Sequence, residues 1–287
     1  MALVTMKEML CEARSKKYAV GAFEFWSLDS AQAVVEAANE TGMPVILQAG
    51  PLEAEFCGGF KAMRVIAALA AAPAWVPVAL HLDHAEDFRS VEDALEAGFT
   101  SVMIDASSAT FDENIAITIK VVEAARKYGA SVEAELGKLA GNEGNVTVGD
   151  REACQTDPAE AAVFAERTGV DALAVAIGTA HGFYTFAPEL NLERLGRIAA
   201  ATPIPLVLHG GSGTPDEQVR SAIGAGIAKV NICTEFIAAY GRQYTTAQEQ
   251  AGFKYNVPSV FGSAKDAGRK LAKHKIRLFG GLGNGND

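Results

Sequence analysis

VPVALHLDHAEDFRSVEDALEAGFTSVMID, residues 76–105, reads as one complete strand–helix–strand unit. The run VPVALHLDH (76–84) is almost continuously apolar, as a parallel strand covered on both faces has to be. VEDALEAG (91–98) places apolar residues at helical spacing and ends on Gly98, suited to the left-handed conformation that stops a helix. SVMID (101–105) is the next β-rich run. The alternation extends in both directions. Further runs lie at 19–25 (AVGAFEF), 44–49 (PVILQA), 131–137 (SVEAELG), 172–178 (ALAVAIG), 205–210 (PLVLHG) and 229–234 (KVNICT), eight in all. ENIAITIKVVEAARKYG (113–129) repeats the helical pattern with Gly129 as its stop, and Asp157-Pro158 reads as an N-cap with a first-turn proline. Eight such units in about 250 residues predict an α/β protein, one (β/α)8 barrel. It occupies 1–287 as a single domain, with GGLGNGND (280–287) as a flexible tail. A doubly wound open sheet would carry a glycine-rich loop after its first strand, and AFEFWSLDS (22–30) has none.

The composition narrows the partners. The chain is 49% hydrophobic with a formal net charge of -10. No basic stretch is present to neutralise phosphates, which argues against nucleic acid. Arg14, Lys16, Lys17 and the basic segment 270–277 read as solvated helix faces. The cysteines Cys11, Cys57, Cys154 and Cys233 are scattered without a C-x-x-C pair, as expected of a reduced, cytoplasmic protein. The first seventeen residues carry acidic residues where a signal peptide has its apolar centre, and no segment approaches the roughly 20 apolar residues that span a bilayer. A soluble protein without a membrane partner is expected.

A barrel places chemistry at the C-terminal ends of its strands. Polar residues collect at those positions: Glu24, Gln48, Asp83, His84, Asp105, Glu135, His181, His209, Asn231 and Thr234. His84, His181 and His209 end three different strands and can converge; three neutral imidazoles suit Zn2+ and leave a fourth position open. His81 lies three residues before His84. In a regular strand the two would face opposite ways, so His81 is expected to be a buried, hydrogen-bonded histidine. His274, in the charged C-terminal helix, is expected to be solvated. Asp83 could exchange a proton with a hydroxyl or aldehyde oxygen, or orient a histidine. Asp105 and Glu135 are better suited to orienting a ligand or serving as alternative ligands.

HGGSG (209–213) follows the seventh run and VNICT (230–234) enters the helix after the eighth. The loops after strands seven and eight are the usual phosphate site of such barrels. Gly210 and Gly211 would let backbone approach an anion, and Ser212 and Thr234 would add hydroxyls. Metal and phosphate together suit Lewis-acid polarisation of a carbonyl, as aldol cleavage of a ketose phosphate requires. An imine-forming aldolase needs a lysine in the barrel, but the sixth run has none. Lys229 lies at the wrong end of the eighth, and Lys138 lies beyond the fifth.

HLDHAED (81–87), GFTSVMIDASS (98–108), SVEAELGKLAGNEGN (131–145), TDPAEAAVFAERTGVDALAVAIGTAHGFY (156–184), PLVLHGGSG (205–213) and GIAKVNICTE (226–235) together resemble the class II, metal-dependent fructose- and tagatose-bisphosphate aldolases, with the tagatose branch nearest. The resemblance implies zinc on His84, His181 and His209. It implies Asp83 as acid/base at the aldehyde and C4 hydroxyl end, and Glu143, in a mobile loop within 137–156, as mover of the donor-carbon proton. Gly182, Gly210, Ser212 and Thr234 would line a dihydroxyacetone phosphate site, with Asn231 near the enediolate. It further implies a homodimer or homotetramer and, in some members, a monovalent cation near the phosphate.

Three departures concern the acceptor end. Glu24 stands where the family has asparagine, Gly50 where a serine or threonine often holds the distal phosphate, and Ile237 where many members have a basic residue. All three disfavour an anion, and the basic C-terminal helix is the one feature that could compensate. Cys233 replaces the aspartate of the fructose-type enzymes, which the tagatose type also lacks, and Thr185 stands where many fructose-type members have lysine. The reading is a zinc-dependent class II aldolase that splits a ketose phosphate or bisphosphate into dihydroxyacetone phosphate and an aldehyde, with a changed, non-phosphorylated acceptor half. The alternatives are a metal-dependent sugar-phosphate epimerase or isomerase, and a non-catalytic metal-binding sugar-phosphate sensor.

Overall fold

The computed structural model describes residues 3–137, 155–180, 182, 188–252, 254 and 256–282. Strands β1 (Val20–Glu24), β2 (Val45–Ala49), β3 (Val78–Ala85), β4 (Ser101–Ile104), β5 (Ser131–Leu136), β6 (Ala172–Val175), β7 (Leu206–Leu208) and β8 (Ile227–Ile232) close into a parallel barrel in chain order. β8 starts two residues before the expected run, and Thr234 opens the following helix rather than ending the strand.

The described helices are α1 (Met6–Lys16), α2 (Leu28–Thr41), α3 (Pro51–Phe56), α4 (Phe60–Ala71), α5 (Phe88–Ala97), α6 (Phe111–Arg126), α7 (Pro158–Thr168), α8 (Leu192–Ala201), α9 (Asp216–Ala225), α10 (Thr234–Gln250) and α11 (Val257–Phe279). Their ends follow local chemistry. Gly98 caps α5 at φ 92°, and Asp157 caps α7 by accepting from the N–H groups of Ala159 and Glu160. Gly129 does not stop α6 directly; the helix ends at Arg126, and Gly129 follows at φ 66°.

The inward side chains form layers. At the N-terminal end α1 plugs the barrel: Met6, Met9 and Leu10 pack on Ala22, Ile46, Ala79, Ala174 and Val207. Small inner residues leave room for that helix. The next layer up holds His81, Ser101, Glu133 and Lys229, all 0% exposed. Above it, facing the mouth, come Glu24, Gln48, Asp83, Glu135, His209 and Asn231. The outward residues of the same strands, such as Phe23, Leu47, Leu80 and Val132, form the apolar core under the helices.

The C-terminal helix departs from expectation. The basic face of α11 is packed on its neighbours rather than solvated: Lys265 pairs with Glu36, Arg269 and Lys273 with Glu40, and Lys275 with Glu235. His274 is half exposed and lies 3.3 Å from Asp216. The start of the expected flexible tail is also held, since Gly280, Gly281 and Leu282 donate back to the last turn of α11; residues 283–287 lie outside the described residues. Among the described residues no helix is long and apolar enough to cross a membrane.

Candidate metal and sugar-phosphate site

A cavity of about 560 Å3 opens at the C-terminal end of the barrel. Of the residues singled out above, Glu24, Gly50, Asp83, His84, Gly182, Gly210, Ser212, Asn231 and Thr234 line it. Asp105, Glu135 and His209 adjoin His84. His181 and Glu143 lie outside the described residues.

The geometry of β3 corrects the expectation for its two histidines. The strand is not regular: pairing with β4 shifts between Leu82 and Ala85, and His84 adopts φ 45°. This bulge turns one extra side chain inward. His81, Asp83 and His84 therefore all face the interior rather than opposite faces. His81 is buried and bonded as expected, its Nδ1 2.8 Å from Ser101 Oγ. Burial holds its imidazole well below the usual range, reinforced by the Lys229 charge and only partly opposed by Glu133.

His84 Nε2 and His209 Nδ1 face each other at 2.9 Å. The outer nitrogen of each ring meets a carboxylate: His84 Nδ1 lies 3.2 Å from Asp105 Oδ2, and His209 Nε2 lies 2.8 Å from Glu133 Oε1. If each outer nitrogen carries the proton it donates to its carboxylate, two lone pairs converge on one point. Beside that point Glu135 Oε2 is buried without a hydrogen-bond partner among the described residues, 3.7 Å from His209 Nδ1. Two donor sets, Asp83–His84–His209 and His84–Asp105–Glu135, each place their ligand atoms within 4.8 Å of one another. Imidazole nitrogens with an orphaned carboxylate oxygen fit a borderline divalent cation such as zinc.

The electrostatics agree. Burial alone would lower the His84 imidazole, but Asp83, Asp105 and Glu135 overcome it and hold it up at about 10. Positive charge is favoured at this spot. Burial pushes Glu135 well above the usual carboxylate range, and the nearby Asp105 charge adds to the effect. Burial also pushes Asp105 up, but hydrogen bonds from His84 and Ser107 outweigh it and bring it below that range.

Asp83 is held from two sides. Gln48 Nε2 donates to its Oδ2 at 2.9 Å, and Asn231 Nδ2 donates to both oxygens at 3.2 and 3.3 Å. Gln48 also reaches Glu24 Oε2 at 3.5 Å, so one amide bridges two carboxylates. Glu24 Oε1 accepts from the Gly50 N–H at 3.3 Å, an N–H that Glu53 Oε2 shares at 3.2 Å. Burial raises Glu24 well above the usual range, with Asp83 and Glu53 adding to it. Glu53, Glu86 and Asp87 also line the cavity. Cys233, also in the lining, has its thiol pushed up by burial and by Glu24 and Asp83, which suppresses a nucleophilic thiolate.

After β8 Thr234 begins α10, and Ser212 Oγ, after β7, accepts from the Glu235 N–H at 3.2 Å. Gly210, at φ 65°, lies so close to Ala180 that a Cβ would meet its carbonyl oxygen at 2.4 Å. Gly211 departs from its expected place in the cradle. Its N–H donates to Asn231 O at 3.2 Å, and it does not line the cavity. It is a packing glycine, because a Cβ there would strike Val230 and Asn231. Ile237 also lies outside the lining, 44% exposed on α10.

Glu133 and Lys229 were missed from the sequence. Glu133 had a usable signal, because period-two alternation in SVEAELG puts residues 131, 133 and 135 on one face. Lys229 does sit low in β8, in register with Val20 and Val207, yet its long side chain reaches Glu133.

A single parallel barrel, with convergent imidazoles and carboxylates under one mouth, defines the class of metal-assisted barrel lyases and isomerases. The chain belongs to the class II fructose-bisphosphate aldolase family: residues 4–284 match the family model "Fructose-bisphosphate aldolase class-II". It is 43% identical over 285 residues to the fructose-bisphosphate aldolase of Geobacillus stearothermophilus, covering 99% of both chains. It is 41% identical over 282 residues to that of Staphylococcus epidermidis, covering 98% of both. Among solved structures it is similar to the YdjI aldolase from Escherichia coli K12, with a TM-score of 0.84 and 36% identity over 99% of this chain and 100% of that one.

Proposed function

We propose that the chain is a zinc-dependent aldolase that reversibly cleaves a ketose 1-phosphate to dihydroxyacetone phosphate and an aldehyde without a terminal phosphate. The observation that carries this reading is the content of one cavity: His84 Nε2 and His209 Nδ1 meet at 2.9 Å beside Asp83, Ser212 and Thr234 line it after β7 and β8, and Glu24, Glu53, Glu86 and Asp87 line it at and after β1, β2 and β3. His84 and His209 would hold the metal, with His181 as the third expected ligand and Glu135 or Asp105 able to join. When bound, the metal would supply Lewis-acid polarisation of the donor carbonyl.

This chain's residues supply the rest. Asp83, oriented by Gln48 and Asn231, takes the proton from the C4 hydroxyl in cleavage and returns it to the aldehyde oxygen in synthesis. Glu143 is the expected carrier for the donor-carbon proton. Ser212, Gly210, Gly182 and the start of α10 provide hydroxyl and backbone donors for the donor phosphate. At the acceptor end, the Gly50 N–H that could meet a distal phosphate already serves Glu24 and Glu53. The basic side chains of α11 do not compensate, because they are committed to Glu36, Glu40 and Glu235. Cys11, Cys57 and Cys233 are free, in keeping with action in a reduced cytoplasm.

Cleavage of fructose 1,6- and tagatose 1,6-bisphosphate measured against the corresponding 1-phosphates tests the reading. The 1-phosphates are expected to give the higher kcat/KM; a strong preference for either bisphosphate refutes the acceptor assignment. An epimerised ketose in place of two fragments refutes the aldolase assignment.

A further inference from the structure

Below the mouth, Lys229 Nζ donates to Glu133 Oε2 at 2.8 Å, and both side chains are fully buried. An ion pair at this depth is a poor stabiliser, because removing both charges from water offsets their attraction; an apolar pair of similar volume packs as well or better. The layer beneath uses that apolar solution, with Ile46, Ala79 and Val207 packed on α1. The pair needs a reason other than stability, and its other contacts supply one. Glu133 Oε1 lies 2.8 Å from His209 Nε2, while His209 Nδ1 points at His84 Nε2.

A neutral imidazole carries one proton, on either nitrogen, and its hydrogen-bond partner decides which. A carboxylate at Nε2 places the proton there and leaves the Nδ1 lone pair aimed at the metal position. A buried carboxylate without a counter-charge bears a heavy desolvation cost, and the Lys229 ammonium opposes it. The ammonium also fixes the rotation of the carboxylate, with one oxygen on Nζ and the other on His209.

We propose that Lys229 and Glu133 are positioning residues for the metal-binding face of His209: the ammonium holds the carboxylate, the carboxylate holds the Nε2–H form of the ring, and Nδ1 is thereby presented to a divalent cation. This rests on the reading of His84 and His209 as metal ligands. Lys229 does not line the cavity, so its role is exerted through Glu133 rather than on substrate.

Zinc affinity, read by competition with a chromophoric chelator, tests the proposal, with the melting temperature of the metal-free protein as control. Two charge-free variants differ in one hydrogen-bond acceptor. Lys229→Met/Glu133→Leu removes the acceptor for His209 Nε2–H; Lys229→Met/Glu133→Gln keeps a neutral one. The first is expected to fold and to bind zinc about 10–100-fold more weakly than the unmodified chain. The second is expected to recover most of that loss. Unchanged zinc affinity in the folded leucine variant, or equal losses in both, overturns the proposal. Glu133→Met serves in place of leucine if melting shows that leucine is not accommodated. Absence of zinc binding by the unmodified chain overturns the metal reading itself, which the variants' ratio alone does not.

Discussion

At the ends of β7 and β8 the barrel presents Ser212, Thr234, Gly210 and the first turn of a seventeen-residue helix. At the ends of β1 and β2 it presents Glu24, Glu53 and an amide N–H already taken by both. The same strand–loop–helix unit builds both, and the groups they offer a ligand differ, hydroxyls and a helix start at one and carboxyl groups at the other. A symmetric bisphosphate would meet favourable groups at one end and carboxylates at the other. On the proposed reading, the contrast teaches that recognition of the two ends of a substrate is separable in this scaffold.

Breaking the shared centre has the largest expected effect. His84→Ala abolishes cleavage and stoichiometric zinc, measured by atomic emission on protein dialysed against trace metal; full activity with zinc retained would remove His84 from the metal set. Asp83→Asn keeps the metal and lowers kcat by about 10²–10⁴-fold, since a positioned acid/base contributes that much. Proton exchange into dihydroxyacetone phosphate alone should survive this change, because it involves the donor carbon.

Sharpening the contrast takes changes confined to one side. Ser212→Ala raises KM for dihydroxyacetone phosphate by about 10–100-fold, from the loss of a hydrogen bond to a charged group worth about 1.5–3 kcal/mol. KM for the aldehyde should change little. Glu24→Gln, on the other side, shifts the kcat/KM ratio between 1-phosphate and bisphosphate toward the bisphosphate and leaves zinc content unchanged.

Glu24 also predicts a pH effect, the smallest of the series. Burial, with Asp83 and Glu53 nearby, raises its folded-state pKa above the usual carboxylate value. The folded chain then holds this proton more tightly than the unfolded chain. The associated stability is present below the unfolded pKa and is lost as pH rises through the folded one. Glu24→Gln should raise the melting temperature relative to the unmodified chain at pH 8 and give little gain at pH 4. Equal shifts at both values would assign the effect to packing.

Much of the barrel was legible because each unit repeats a local rule: apolar run, helical spacing, glycine or proline stop. The polar ring was legible for a related reason, since strand ends are marked by where apolar runs give way to His, Asp and Glu. What escaped depends on relations between strands. The inward turn of His84 comes from a register shift against β4, which no local pattern in HLDHAED announces. Gly211 was assigned to the anion cradle from composition, yet its N–H is spent on β8. Lys229 was judged by the height of its backbone, whereas four methylenes carry its charge up to the next layer.

The plug formed by α1 governs traffic. With Met6, Met9 and Leu10 sealing one end, the mouth at the other serves every visitor to the site. In the proposed reading His84, His209 and Glu135 hold the cation, and Ser212, Thr234 and Gly210 hold the donor, all reached through that one mouth. Aldol addition needs the donor in place before the aldehyde, so on that reading the donor enters first and, in cleavage, leaves after the aldehyde. Product inhibition should show that order, with dihydroxyacetone phosphate leaving last.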